Sequence, residues 1–209
     1  MKFISLLSSG IDSPVATYLI SEYADEIVIV HGDIRPFTDN REIENFKKIV
    51  NYLKTKISCK IKTYVVPHGQ VLSDFKEGCK NRFTCIFCKR MLLRYAEEIA
   101  KKEEAEAIVM GDSLGQVASQ TLQNIRAIDQ AVSITILRPL IGLDKEDIVN
   151  ISKEIGTYEL SIAKSKSCSA VPNKPATKAK SVDILIEEEK INVKEIVKNA
   201  VKNAYLFKT

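Results

Sequence analysis

Apolar residues along this chain follow two alternating rhythms. Short unbroken runs, Phe3-Ile4-Ser5-Leu6-Leu7 and Ile27-Val28-Ile29-Val30, offer almost no polar face and read as strands covered on both sides. Elsewhere apolar positions recur every three or four residues: Val15, Ala16, Leu19, Ile20 and Tyr23, then Ile43, Phe46, Val50 and Leu53. Each set makes one stripe of an amphipathic helix. Pro14 suits a first helical turn, where its missing N–H costs nothing. Asp39 and Glu42, three apart, predict a capping box at the start of the second helix. The alternation continues with strands over 60–66, 107–110 and 133–137. Helices are predicted over 89–102 and 116–125, and beyond Asp144 through Ile148, Ile151 and Ile155. The pattern defines an α/β protein with a doubly wound parallel sheet of about five strands. Ligands of such sheets bind beyond the carboxyl ends of the strands.

Past residue 163 the rhythm breaks. Residues 164–180 are polar and basic with Pro172 and Pro175, the composition of a loop, and two further helical patterns follow over 182–190 and 193–205. The expected organisation is a nucleotide-binding domain over 1–163 and a C-terminal loop with a short helical appendage over 164–209.

Composition narrows the classes. With 45% hydrophobic and 28% charged residues in 209, the chain has the make-up of one compact domain rather than a disordered segment. No apolar run approaches the ~18–20 residues of a membrane span, and the N-terminal apolar run is too short for a secretory signal. A soluble, cytoplasmic protein without membrane contact is expected. The net charge of +4 permits a polyanionic partner without demanding one. Five cysteines, an odd number, read in that compartment as thiols, metal ligands or catalytic groups rather than a disulfide framework.

The segment Ser8-Ser9-Gly10-Ile11-Asp12-Ser13 joins the first strand to the first helix. Small residues let an anion approach the backbone, and the helix N-terminus supplies unpaired N–H groups and a positive dipole end. The serine hydroxyls add donors, and Asp12 either orients a metal or caps the helix. The segment is not a Walker A loop. The plainer alternative is a tight strand-to-helix turn.

Further segments extend this one: His31-Gly32-Asp33-Ile34-Arg35-Pro36-Phe37-Thr38, Thr84-Cys85-Ile86-Phe87-Cys88-Lys89-Arg90-Met91, Gly111 to Thr121, Arg138 to Glu146, and Ile155-Gly156-Thr157-Tyr158-Glu159. Together they resemble the ThiI family, the tRNA 4-thiouridine sulfurtransferases, in its archaeal type with a C-x-x-C. The resemblance covers nearly the whole chain. It implies the PP-loop, adenine nucleotide alpha hydrolase-like fold of ATP pyrophosphatases, with ATP and Mg²⁺ as cofactors. By position it puts ATP against Leu6, Leu7, the loop residues Ser8, Ser9, Gly10, Ile11, Asp12 and Ser13, His31, Gly32, Arg90, Gly111 and Gln120. Contact through the His31 backbone is expected. Asp12, Lys145 and Cys168 are the implied catalytic residues, Lys145 as a positive charge near the phosphates. Ser9 departs from the family loop, which has glycine there, and so narrows the backbone conformations available.

Cys168 lies among Lys164, Lys166 and Lys174, neighbours that favour the nucleophilic thiolate. Cys85-x-x-Cys88 suits a metal, a redox pair or a structural role. The resemblance adds an iron–sulfur cluster on Cys85, Cys88 and Cys168. Cys59 reads as a buried residue, and neither Cys79 nor His68 receives a role.

The implied reaction is adenylation of a tRNA uridine at position 8, then sulfur insertion to give 4-thiouridine from a Cys168 persulfide or cluster-bound sulfide. The catalytic module alone is expected, without the family's ferredoxin-like, THUMP or rhodanese domains. A separate sulfur donor is therefore expected, with tRNA docking helped by a THUMP-domain protein or a homodimer. Lys164–Lys180 and Lys194, Lys198 and Lys202 face either RNA phosphates or solvent. Two other readings stand beside this one: a PP-loop enzyme activating a small-molecule carbonyl for sulfur or amide insertion, and a nucleotide- or RNA-binding partner without catalysis.

Overall fold

The computed structural model describes residues 1–207. Five parallel strands, β1 (Lys2–Leu6), β2 (Glu26–Asp33), β3 (Lys60–Pro67), β4 (Ala107–Val109) and β5 (Thr135–Leu137), lie in the order β5-β4-β1-β2-β3. The chain winds outward through β1, β2 and β3, then returns to the other side of β1 for β4 and β5. The order therefore reverses between β1 and β4, which is where a doubly wound sheet opens a crevice at its carboxyl edge.

The strands are apolar on both faces because both are covered. Ile27 and Ile29 of β2 pack with Ile43, Phe46, Ile49, Val50 and Leu53 of α2 (Asn40–Lys56) on one side. Val28 and Val30 point to the other side, against Phe87, Met91, Tyr95 and Ile99 of α4 (Thr84–Glu103). The first face also carries α1 (Asp12–Ser21), α6 (Lys145–Ile155) and the short α7 (Tyr158–Ser161). The second carries α3 (Gly69–Gly78), α5 (Leu122–Asp129), α8 (Ser181–Glu188) and α9 (Val193–Lys202). Among the described residues, no helix is long and apolar enough to cross a membrane.

Several elements differ from the sequence expectation. Helix α3 was not foreseen: it opens behind Pro67 and buries Val71, Leu72 and Phe75 in only ten residues. The stretch 116–125 is not one helix. A 3₁₀ turn over Ala118–Gln120 precedes α5, whose start is set by Thr121, which accepts a hydrogen bond from Asn124 N–H. The last helix stops at Lys202, and Tyr205–Leu206 forms β6, pairing antiparallel with Tyr64 and Val65 at the otherwise open edge of β3. Residues beyond 163 share the main core: Ala176, Ala179, Ile184, Val197 and Ala200 belong to the same buried cluster as α4. Helix α6 ends at Gly156 with φ of 83°, a left-handed conformation that favours glycine, and the Tyr52 side chain packs against it.

Candidate nucleotide and thiol site

At the β1–β4 reversal lies a cleft of about 340 Å³. Its wall is the loop Ser8–Ser13, the ends of β1 and β2, the first turns of α4, and Met110–Asp112 after β4. A larger groove, about 630 Å³, runs between α4 and α9 but lies away from the strand ends.

The loop is held from within. Ser13 Oγ accepts a hydrogen bond from Ser8 N–H at 2.9 Å and lies 3.1 Å from Ser8 Oγ. Neither Ser9 nor Gly10 has a positive φ, so the expected conformational restriction from Ser9 does not arise. The residue before α1, Ile11, makes no side-chain cap, and Asp12 does not cap either. Its carboxylate pairs instead with Lys145 Nζ at the start of α6, 133 residues away. The first-turn N–H groups of α1 thus have no side-chain cap where the cleft begins.

Gly111 closes the opposite wall. A Cβ there would lie 2.8 Å from both the N and the Cα of Ser13, against backbone that cannot swing aside. Gly111→Ala is expected to push the loop off β4, costing about 1–3 kcal/mol of stability and weakening nucleotide binding. Urea unfolding beside a nucleotide titration checks this; unchanged values in both would show that the loop yields freely.

Behind Gly111, Asp112 collects cations. Lys89 Nζ lies 2.6 Å from its Oδ1, and Arg138 Nε lies 3.2 Å from its Oδ2. Burial alone would raise this carboxyl, but the charges and hydrogen bonds of Lys89 and Arg138 outweigh it and hold it below the usual carboxylate range. Gln120, placed against ATP by resemblance, stands one layer back, with its side-chain nitrogen 3.5 Å from Asp112 Oδ1 and its carbonyl accepting from Val117 N–H.

Arg90, placed against ATP by resemblance, has its side chain turned to the core. It does not line the cleft: its side chain is 1% exposed and forks onto Glu188 of α8 at 2.8 and 2.7 Å, with a further bond to the Ala127 carbonyl. Consecutive helical residues diverge by about 100°, so with Lys89 turned to the cleft, Arg90 must face the core. The residue missed is Lys89. Arg94 also bonds Glu188, and together the two guanidiniums overcome the burial that would otherwise raise this carboxyl, holding it below its usual range. Arg90→Ala is expected to cost about 1–3 kcal/mol, because Glu188 and the Ala127 carbonyl lose buried hydrogen bonds while Arg94 still balances the carboxylate charge. Since the folded Glu188 pKa lies below the unfolded one, its contribution is present above about pH 4.3 and is lost as pH falls through the folded value. Acid unfolding of wild type should therefore be steeper below pH 4 than that of Glu188→Gln, and equal slopes would refute the assignment.

His31 lines the cleft with its ring stacked on Phe46 at 3.9 Å and its Nδ1 3.0 Å from the Leu7 carbonyl. Glu42 stands behind it. The predicted capping box is half correct: Asp39 caps α2, but Glu42 turns inward to His31.

One thiol of a group of three forms part of the cleft wall. Cys88 lines it, and Cys85 and Cys168 lie near enough to raise the energy of its thiolate, while Lys89 lowers it. Burial chiefly pushes the Cys88 thiol up to about 12, and burial also raises Cys85. Cys168 is half-buried between exposed Ser167 and Ser169. Its loop is strapped to the β2–α2 connection by Ser169 N–H and Oγ, both on the Phe37 carbonyl, and by Thr38 Oγ1 on the Lys166 carbonyl at 2.6 Å. His68, given no role from sequence, is fully buried with Nε2 3.2 Å from Cys88 Sγ and Nδ1 3.2 Å from the Tyr95 hydroxyl. Among the described residues no three His, Cys, Asp or Glu side chains stand close enough to hold a single metal ion. By their chemistry, cysteine thiolates are the ligand type that holds iron–sulfur clusters.

A doubly wound sheet, a serine-rich anion loop at its reversal point and a lysine paired with the loop aspartate define the PP-loop class of nucleotide-binding proteins. The family model "Thiamine biosynthesis protein (ThiI)" matches residues 1–193, and the chain belongs to that family. A probable tRNA sulfurtransferase of Methanosarcina mazei is 40% identical over 208 residues, covering 99% of this chain and 51% of that protein. The crystal structure of a 4-thiouridine synthetase–RNA complex with bound ATP superposes with a TM-score of 0.94 at 31% identity, over 99% of this chain and 54% of the other. The U34-tRNA thiolase NcsA of Methanococcus maripaludis, solved with its [4Fe-4S] cluster, shares the fold at a TM-score of 0.52 and 13% identity, covering 97% of this chain and 70% of that one. The chain spans about half the length of the curated relatives it matches.

Proposed function

We propose that this chain carries the catalytic unit of an ATP-dependent tRNA sulfurtransferase, forming 4-thiouridine at uridine 8. The observation that carries the reading is one cleft with the Asp12–Lys145 pair at its phosphate loop and the Cys88 thiol in its wall, Cys85 and Cys168 being near enough to act on that thiol. The relatives' names set the substrate class.

Bound ATP would lay its phosphates on the N–H groups of Gly10–Ser13, with the nucleoside toward His31 and Gly32. Asp12 is free of capping duty and suits one carboxylate position on a phosphate-bound Mg²⁺. Lys145, released from Asp12, would then meet the charge that grows on the departing pyrophosphate. The uridine C4 oxygen attacks the α-phosphorus, pyrophosphate leaves, and C4 becomes joined to AMP as a good leaving group. Hydrosulfide displacing AMP at C4 gives the thiocarbonyl without any redox change. A Cys168 persulfide would instead leave a C4–S–S–Cys168 link, and a second thiol must supply two electrons to release it. Cys85, Cys88 and Cys168 are the residues that would hold an iron–sulfur cluster, and when bound it would supply a soft metal centre able to carry sulfur.

The test is an anaerobic incubation of the chain with ATP, Mg²⁺, sulfide and unmodified tRNA, with and without a THUMP-domain protein, following thiouridine absorbance and pyrophosphate. Thiouridine in either arm supports the reading. ATP turnover indifferent to tRNA in both arms would point to a small-molecule carbonyl instead.

A further inference from the structure

His68 is fully buried, and nothing in the reaction described above uses it. It immediately precedes α3, where its backbone N–H donates to the Asp33 carbonyl at 2.8 Å and its carbonyl accepts from Leu72 N–H. The residue is therefore fixed at its base between the end of β2 and the first turn of α3. Its ring reaches α4, where Cys88 and Tyr95 stand seven residues apart, about two helical turns, on one face. Nε2 lies 3.2 Å from Cys88 Sγ and Nδ1 lies 3.2 Å from the Tyr95 hydroxyl, with the two rings edge to face at 5.6 Å between centroids.

The direction of these two bonds follows from which group has an alternative. A neutral imidazole carries one N–H, and full burial disfavours a charged ring. With the proton on Nδ1, the ring would donate to the Tyr95 oxygen and leave the Tyr95 O–H without an acceptor, because His68 is the hydroxyl's hydrogen-bond partner among the described residues. Tyr95 is itself fully buried, so that O–H has no solvent to turn to. With the proton on Nε2 the chain closes: Tyr95 O–H donates to Nδ1, and Nε2–H donates to Cys88 Sγ. The group left over is then the Cys88 S–H, a weak donor. Cys88 lines the cleft, so its hydrogen has open space there.

We propose that His68 is the positioning residue of Cys88: held as its Nε2–H tautomer by the Tyr95 hydroxyl, it donates to Sγ from the buried side and leaves the sulfur's bonding position facing the cleft for the iron of a cluster. This inference rests on the reading of Cys88 as a cluster ligand. A ligating thiolate accepts a stronger hydrogen bond than a thiol does, so the contact gains strength where the sulfur is bound. Hydrogen bonds to the ligand sulfurs also tune the reduction potential of such a group.

The first measurement is the His68 tautomer in the ligand-free chain, read by proton–nitrogen NMR correlation. The Nε2–H form is expected, and a predominant Nδ1–H form overturns the proposal. Tyr95→Phe should mix the two forms, and a tautomer unchanged in that variant overturns the part given to Tyr95. Wild type, Cys88→Ala, His68→Leu and His68→Gln are then loaded anaerobically with ferrous iron and sulfide, with urea unfolding to confirm that each is folded. His68→Leu is expected to make one-electron reduction about tenfold less favourable, the scale of one hydrogen bond to a charged group, which is a fall of about 59 mV. His68→Gln, whose amide offers an N–H near the place of Nε2, should restore most of it. Equal potentials in wild type and His68→Leu, or His68→Gln as low as His68→Leu, overturn the proposal. Full iron in Cys88→Ala, or a wild-type chain that holds none, overturns the ligand reading, and the tautomer then still decides the direction of the His68–Cys88 bond.

Discussion

Lys145→Ala is expected to cut pyrophosphate release by about 10²–10³-fold, the loss typical of removing one preorganised charge from a transition state. ATP binding should weaken by less than about tenfold, because the N–H groups at the start of α1 remain. The structure supplies the reason for this asymmetry. Lys145 sits at the first turn of α6, where a cation is mildly disfavoured by the helix dipole. Among the described residues its ion pair is with Asp12, at the mouth of the loop, and the lysine side chain keeps 49% of its exposure. An exposed pair contributes little to stability, so unfolding should hardly change. Single-turnover pyrophosphate release beside a binding titration checks the prediction. A rate within about threefold of wild type would reduce Lys145 to a surface partner of Asp12.

Cys168→Ala should abolish thiouridine formation, to below about 1% of wild type, as expected for loss of an atom that bonds to the transferred group. ATP binding should be untouched, since Cys168 is not among the residues that wall the nucleotide end. Its position depends on the strap to Phe37 and Thr38. Thr38→Val, which removes the bond to the Lys166 carbonyl, should therefore reduce the rate of sulfur transfer while leaving the thiol present. The measurement is thiouridine yield with a persulfide donor and a thiol reductant, since free hydrosulfide can displace AMP without Cys168. Full yield from Cys168→Ala under those conditions would show that sulfur reaches C4 without this thiol.

Much of the fold was legible because strands and helices announce themselves locally. Buried parallel strands are apolar on both faces, and amphipathic helices repeat every three to four residues, so β1 to β5 and most helices emerge from short windows of sequence. The loop Ser8–Ser13 was legible for the same reason: residue size and a following helix start are local properties. What escaped has little local mark. Helix α3 begins and ends on glycine, which locally reads as a breaker, and β6 is two residues long and exists because β3 offers an unpaired edge.

The charged groups divide along the same line. A motif of consecutive residues names Lys89 and Arg90 together, but rotation about the helix axis sends one to Asp112 in the cleft and the other to Glu188, 98 residues on. Glu42 obeys a local capping rule in the sequence and breaks it in the fold, because the end of β2 brings His31 to it. His68 looks like a loop residue until α4 sets Cys88 and Tyr95 against it. The order of elements, the place of the anion loop and the family of the chain are thus written in the amino-acid sequence, since each depends on residues near one another along it. Which side chains meet across the cleft was settled by packing, because the direction of a side chain follows from how its helix is rotated against partners far away in the chain.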